Sequence, residues 1–392
     1  MQPFTFHNPT RILFGPGLCD QAGAEIRPFS DRVLLVTGTG SAKRTGAYDR
    51  VRRSLEAAGV RVRDLEGVVS NPRLSKVREG IEATRAEALT AVVALGGGSV
   101  MDTAKAVAAG AVLDEGDVWD CFTRTREIAG ALPVFTVPTL AASGSEMNGF
   151  MVITNEETGH KLAAGSEHLY PRLSILDPVL TCSVPPDYTA YGGADAVCHL
   201  LEPYFNGSDP DTPLQDRLAE ALIQTLLEAT EAAVARPGDV AARSTLMWGA
   251  TLALNGLTRA GIGEHFFAVH MIEHALSALF DVPHGAGLAA LLPGWMSWRA
   301  AESADKVAQL GRRLWNLSGG TRREEARQTI AALRDWLRRV GCPTSLSELG
   351  ISAGDHGRIA ENAALQAGIW GVDALYTPEV VAAVLAQCQE AA

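Results

Sequence analysis

The sequence predicts an α/β half followed by an all-helical half. Short apolar runs alternate with helical segments through residues 1–184, and this alternation stops at Val184-Pro185-Pro186. From Asp187 onward the chain is Ala- and Leu-rich, and strand-like runs are nearly absent. A chain of 392 residues also exceeds the usual reach of one hydrophobic core. Two domains are therefore expected, 1–184 and 185–392.

Taken in order, residues 33–37 read as a strand, 41–58 as a helix closed by Gly59, and 60–65 as a second strand. Residues 72–89 follow as a helix, 91–95 as a buried strand, 100–112 as a helix, and 134–138, 150–154 and 173–177 as further strands. Strands alternating with helices imply βαβ units and a mostly parallel sheet. In the second half, breaks at Pro210 and Pro213, Pro237-Gly238, Gly261 to Gly263, Gly319-Gly320 and Gly341-Cys342-Pro343 separate helical patterns. The Ala-rich stretch 380–392 reads as a packed last helix.

Composition narrows the function classes. A content of 47% hydrophobic and 20% charged residues is ordinary for a globular protein. The balance of 34 basic against 45 acidic side chains gives a net charge of −11, with no basic stripe to neutralise phosphates. Nucleic-acid and anionic-membrane partners are disfavoured on that ground. The six cysteines, Cys19, Cys121, Cys182, Cys198, Cys342 and Cys388, form no C-x-x-C pair and read as reduced thiols of a cytosolic protein. Met1-Gln2-Pro3-Phe4-Thr5 has neither a basic nor an apolar leader region, and no run approaches about 18 apolar residues. A soluble, cytoplasmic protein is expected.

The chemistry concentrates around His270-Met271-Ile272-Glu273-His274. Residues 266–280 carry apolar side chains at helical spacing, so His270 and His274 lie one turn apart, about 6 Å along the axis, on one face. Pro283 ends the pattern, and His284 stands where a second helix, 285–301, begins. An imidazole there can turn back toward the first helix. Upstream, Asp195 and His199 sit at i, i+4 on another expected helix, while Cys198 points roughly 100° away and reads as core. One hard anionic oxygen and up to four borderline nitrogens make a divalent first-row metal site. Asp195, His199, His270 and His284 are favoured as ligands, with His274 as a neighbour outside the ligand set. His7, His160, His168, His265 and His356 read as ordinary core or surface histidines. The run H-x-x-E-H also matches inverted zinc peptidases with Glu273 as base, but such an enzyme would not need Asp195, His199 or His284.

Two loops leave expected strands at their carboxyl ends. Leu95-Gly96-Gly97-Gly98-Ser99 runs straight from strand into helix, so its free N–H groups could meet a pyrophosphate; as a bare GGGS it also fits a flexible turn. Pro138-Thr139-Leu140-Ala141-Ala142-Ser143-Gly144-Ser145-Glu146 is a second such exit. Ligands of open α/β sheets bind beyond such strand ends, and two loops together favour a dinucleotide cleft.

These residues resemble the iron-containing (group III) alcohol dehydrogenases. The resemblance lies in Gly193-x-Asp195-Ala-x-x-His199-x-x-Glu202, the His270, His274, His284-Gly285 spacing, Gly97-Gly98-Ser99, Asn71-Pro72 and Pro138-Thr139, and runs from Asn8 to at least Trp298. Ser143-Gly144-Ser145-Glu146-Met147-Asn148 and His284-Gly285-Ala286-Gly287-Leu288-Ala289 are similar to the butanol dehydrogenase and aldehyde reductase branch.

The resemblance implies a dehydroquinate synthase-like architecture: a dinucleotide-binding α/β domain and an all-α metal-binding domain. It implies Asp195, His199, His270 and His284 as metal ligands and His274 as a catalytic histidine near nicotinamide and substrate. Gly38, Ser41, Asn71, Gly97, Gly98, Ser99, Asp102, Thr139, Leu140, Ser143, Asn148 and Lys161 would be cofactor contacts. The implied activity is NAD(P)-linked interconversion of primary alcohols, such as butanol, and aldehydes, with Fe(2+), or alternatively Zn(2+), in a homodimer. NADP(H) is expected over NAD(H), because no Asp or Glu follows Thr37 until Asp49, while Ser41, Lys43 and Arg44 offer a hydroxyl and positive charge. Lys43 and Arg44 could equally be solvated helix residues. A lyase or cyclase on the same fold would need a basic pocket, and no Lys/Arg cluster adjoins the metal motifs. A non-enzymatic binding protein would lack turnover with simple alcohols.

Overall fold

A computed structural model describes residues 1–390. Eight strands form: β1 (Arg11–Phe14), β2 (Arg32–Gly38), β3 (Arg61–Val68), β4 (Ala91–Gly96), β5 (Val134–Pro138), β6 (Phe150–Asn155), β7 (His160–Gly165) and β8 (Leu173–Leu176). The longer helices are α1 (Ala47–Ala57), α2 (Leu74–Ala86), α3 (Gly98–Ala111), α4 (Pro186–Asn206), α5 (Pro213–Ala235), α6 (Val240–Ala253), α7 (Ala268–Phe280), α8 (His284–Glu302), α9 (Ala304–Trp315), α10 (Arg322–Val340), α11 (His356–Trp370) and α12 (Pro378–Gln387). α12 stops short of the helix expected to residue 392, of which Ala391 and Ala392 lie outside the described residues.

The chain packs as two units. One comprises His7–Val184 with Pro237–Asn255; the other comprises Met1–Phe6, Pro185–Arg236 and the chain from Gly256 onward. This is not the single cut at 184/185 that composition suggests. α6 is as Ala-rich as its neighbours, yet it belongs with the sheet. Thr251 Oγ1 of α6 donates to the buried Glu146 carboxylate, and the buried Arg243 guanidinium donates to the Val184 carbonyl. Composition cannot see such ties.

In the sheet unit, six strands run in the order β1-β8-β5-β4-β2-β3, and every pairing between them is parallel. β4 and β5 are buried along their whole length, which is why AVVALG and VFTVP are almost unbroken apolar runs. The inner face of β2 and β4 meets Tyr48, Val51 and Leu55 of α1 in one core. β2 and β4 are neighbours although β3 lies between them in sequence, so the order reverses there. Crevices at such reversals hold ligands in open α/β sheets.

Four elements depart from the sequence reading. Residues 150–154 do not join the parallel sheet: β6 pairs antiparallel with β7 as a separate ribbon, turned by Gly159 at φ 67°. β7 (HKLAAG) and the four-residue edge strand β1 carry too short an apolar run to announce themselves. The helix expected over 41–58 breaks into Ser41–Arg44 and α1, because Gly46 adopts φ 77°, a left-handed conformation that halts the first helix.

In the helical unit, α4 is buried along most of its length, and α8 packs against it. A Cβ on Gly285 would fall 2.3 Å from the Tyr191 carbonyl oxygen, so only glycine in the first turn of α8 permits this approach to α4. That contact sets the position of His284, the first residue of α8. Gly285→Ala should therefore destabilise the protein by about 1–3 kcal/mol, read as a lower Tm in thermal unfolding.

Candidate functional site

α4 buries Asp195 and His199, α7 buries His270 and His274, and α8 begins on His284. Asp195 Oδ1 lies 3.3 Å from His199 Nε2, 3.4 Å from His270 Nε2 and 3.9 Å from His284 Nε2. The His199 and His270 rings stack at 4.6 Å. Asp195 Oδ1 and His270 Nε2 are nonetheless buried with no hydrogen-bond partner among the described residues. Leaving such atoms unsatisfied costs about 1–3 kcal/mol each. A divalent cation among these donors would satisfy them at once, and one carboxylate oxygen with three imidazole nitrogens fits a first-row metal.

Two further carboxylates, each wholly buried, hold the imidazoles in this orientation. Glu202 bonds His270 Nδ1 through one oxygen and accepts the Val269 N–H with the other. Glu273 bonds His284 Nδ1 through one oxygen and accepts from Ser277 Oγ with the other. A carboxylate at Nδ1 keeps the proton there and turns Nε2 toward the cation. The sequence reading used Glu202 only as part of a motif and Glu273 only as a rival base. Both oxygens of Glu273 are engaged, which removes the peptidase role. The available signal was an acid inside an otherwise apolar buried helix stretch, three residues after a histidine in each case. Cys198, read as core, is buried and also donates its thiol to Glu202 at 3.5 Å.

The electrostatics follow. Burial works against the Asp195 charge, but His199, His284 and His270 hold its carboxyl well below the usual carboxylate range. Burial depresses His199 to about 3, so it is neutral at physiological pH. At His270 burial opposes protonation, yet Glu202 and Asp195 outweigh it and raise the imidazole to about 9. A metal at His270 would displace that proton. Replacing Glu202 or Glu273 by Gln should weaken metal binding by about 10–100-fold in chelator competition, with unchanged circular dichroism.

His274 lies beside this group. Its ring centroid is 5.7 Å from that of His284, and its Nδ1 meets Gln366 Oε1 at 3.0 Å. His7, His160, His168, His265 and His356 are not among the described groups close enough to share a metal.

The residues expected at a cofactor divide into two sets. Gly38 ends β2, Gly97 caps α3 immediately after β4, Gly98 and Ser99 begin α3, and Thr139 follows β5. Thr37 pairs with Leu95, and Gly96 with Pro138, so these loops share one carboxyl edge of the sheet. A Cβ on Gly98 would lie 2.7 Å from Ser143 Oγ, and one on Gly97 would lie 3.5 Å from Leu140. The two loops therefore close together, and bulk at Gly98 has no room. Ser41 is exposed in the short helix after β2, and Lys161 Nζ donates to Asn71 Oδ1 at 3.0 Å, with Asn71 at φ 52°. Asp102 and Asn148 behave differently. Asp102 accepts from Ser145 Oγ at 2.7 Å and from the Val152 N–H at 3.0 Å, while Asn148 bonds the Gly144 carbonyl and the Phe150 N–H. Their polar atoms hold the loop and β6 onto α3. Lys105, which the sequence reading passed over, completes this tie: fully buried, it donates to Ser145 Oγ and to the carbonyls of Asn148 and Phe150 at 2.8 Å each. Burial lowers its ammonium to about 8.

Two family models match the chain: iron-containing alcohol dehydrogenase over residues 9–178, and the C-terminal part of the Fe-containing alcohol dehydrogenase family over 189–388. The chain belongs to the iron-containing alcohol dehydrogenases. Within that family it lies in the branch of butanol dehydrogenases and aldehyde reductases. It is 41% identical over 365 residues to the probable NADH-dependent butanol dehydrogenase 1 of Bacillus subtilis, covering 93% of this chain and 94% of that one. It is 38% identical to the NADPH-dependent aldehyde reductase YqhD of Escherichia coli, covering 90% of each chain. The crystal structure of NADH-dependent butanol dehydrogenase A from Thermotoga maritima superposes with a TM-score of 0.95 at 40% identity, covering 100% of this chain and 99% of that one. An iron-containing alcohol dehydrogenase is an oxidoreductase, so the cyclase and peptidase alternatives fall away.

Proposed function

We propose that the protein interconverts primary alcohols and aldehydes with NADP(H), using Fe(2+) held by Asp195, His199, His270 and His284. The observation that carries the ligand assignment is the buried, unpartnered Asp195 Oδ1 ringed by three imidazole nitrogens. When bound, the metal would supply a Lewis acid for the alcohol or aldehyde oxygen, and the nicotinamide would exchange the hydride. The chain's part is alignment. Glu202 and Glu273, both wholly buried, fix two of the proposed ligand imidazoles. His274, outside the ligand group, hydrogen-bonds the reacting oxygen in this reading. Gly97, Gly98, Ser99, Thr139, Leu140 and Ser143 would receive the dinucleotide, with Gly38, Ser41, Asn71 and Lys161 beside them. Asp102 and Asn148 would act through the loop they anchor.

Three replacements separate these roles. His270→Ala and His284→Ala should lose bound metal and turnover together, whereas His274→Ala should keep stoichiometric metal with reduced kcat. Stoichiometric metal in the His284→Ala protein contradicts the ligand set. Nitrogen-rich sites bind Zn(II) more tightly than Fe(II), so purified protein should often carry zinc. Anaerobic reconstitution of apoprotein with Fe(II) should restore activity, and restoration by zinc alone contradicts the iron assignment.

The preference for NADP(H) rests on a loop after β2 that lacks an acid and carries Ser41, Lys43 and Arg44. One observation opposes it: Lys43 Nζ pairs with Glu66 of β3 at 2.6 Å. Relatives carry both cofactor names. A modest NADP(H) preference follows, with Glu66 restraining it. Glu66→Gln should raise the NADPH/NADH ratio of kcat/KM, and joint replacement of Ser41, Lys43 and Arg44 by Ala should lower it. An unaltered ratio in both variants means that this loop does not read the 2′-phosphate.

A cytoplasmic homodimer completes the proposal. All six cysteines are free, and no helix among the described residues is long and apolar enough to cross a membrane. β1 is an edge strand carrying the exposed Phe14, a surface suited to a second copy. Sedimentation should report twice the chain mass.

A further inference from the structure

The buried stripe of α11 runs through Ile359, Ala360, Ala363, Gln366 and Ala367. These positions form one face of the helix, and a single carboxamide interrupts an otherwise apolar seam. Gln366 is 2% exposed. An amide in such a place costs stability unless it is bonded. Its Oε1 faces His274 Nδ1 at 3.0 Å, while its Nε2 is buried with no acceptor among the described residues. The bond to His274 is thus what the amide has gained.

Resting on the reading of His274 given above, we infer that Gln366 is the positioning residue that fixes the His274 tautomer. A neutral imidazole carries one N–H. A carbonyl oxygen at Nδ1 keeps the proton on that nitrogen and leaves the lone pair on Nε2, the nitrogen that can accept a hydrogen bond from an alcohol. Without the carbonyl, the proton is free to occupy Nε2 and turn an acceptor into a donor.

The pattern across the neighbouring helices supports this division. His270, His274 and His284 each have Nδ1 held by a side-chain oxygen, from Glu202, Gln366 and Glu273 respectively. Carboxylates stand behind His270 and His284, two of the three imidazoles proposed to meet a cation, and they increase the basicity of those two ligands, whereas His199 Nδ1 is buried with no hydrogen-bond partner among the described residues. A neutral amide stands behind His274. It fixes orientation and tautomer without drawing the ring toward imidazolium, which a carboxylate would favour. Gln366 lies beyond every motif in the sequence, so only packing reveals it.

The test uses zinc-loaded, 15N-histidine-labelled protein, which is diamagnetic, with the His274 signals identified by their loss in His274→Ala. Wild type should show a protonated Nδ1 and a lone pair on Nε2. Gln366→Met, close in volume, should mix the two tautomers in the zinc-loaded protein and, in the Fe(II)-loaded protein, lower kcat on the order of tenfold at unchanged metal content. Gln366→Glu, which retains an acceptor, should restore the Nδ1–H signal. A wild-type proton on Nε2, or an unchanged tautomer in Gln366→Met, overturns the inference. Undiminished turnover in His274→Ala would instead sink the role given to His274 and leave the tautomer result standing.

Discussion

One carboxylate oxygen with three imidazole nitrogens around it constrains the helices that carry them. Among the described residues Asp195 Oδ1 finds no hydrogen bond, and neither does His270 Nε2, although both are buried. A fold that only needed a core would fill this volume with apolar side chains, since unpaired buried polar atoms are costly. Here α4, α7 and α8 converge to keep the atoms close, the glycine at 285 admits the contact with α4, and Glu202 and Glu273 spend all four of their oxygens on holding His270, His284 and the helices that carry them. The cost of burying those carboxylates is offset when a cation is present, which ties metal binding to the stability of this unit.

The sheet unit answers a different constraint. The chain leaves β2 through Gly38 and β4 through Gly96, Gly97 and Gly98, and such glycines let backbone come close to a ligand. The loop after β5 is fastened from below by Lys105, Asp102 and Asn148, whose bonds run between α3, the loop and β6. A buried ammonium with three carbonyl and hydroxyl acceptors is a stiff anchor for this loop of mostly small residues.

The convergence of Asp195, His199, His270 and His284 was legible because a helix places i and i+4 on one face and a proline ends it, so the two pairs could be brought together on paper. The parallel sheet was legible from long apolar runs such as 91–95. Glu202, Glu273 and Gln366 were hidden because their contacts are tertiary: nothing local distinguishes a buried acid that holds an imidazole from one on a solvated face. The transfer of α6 to the sheet unit, and the β6–β7 ribbon, were hidden for the same reason. Lys43 read as a free cation because Glu66, on the neighbouring strand, is 23 residues away in sequence. Gly46 alone was available to split the helix expected over 41–58, and its left-handed backbone is a choice that sequence permits but does not dictate.

The central claim is the ligand set, and X-ray absorption of the Fe(II)-loaded protein tests it most directly. The account predicts a light-atom shell fitted by three imidazoles and one carboxylate oxygen, together with any exchangeable ligand, and loss of one imidazole's multiple scattering in His284→Ala. A sulfur scatterer from Cys198, or a shell unaltered by His284→Ala and diminished by His274→Ala, would contradict it.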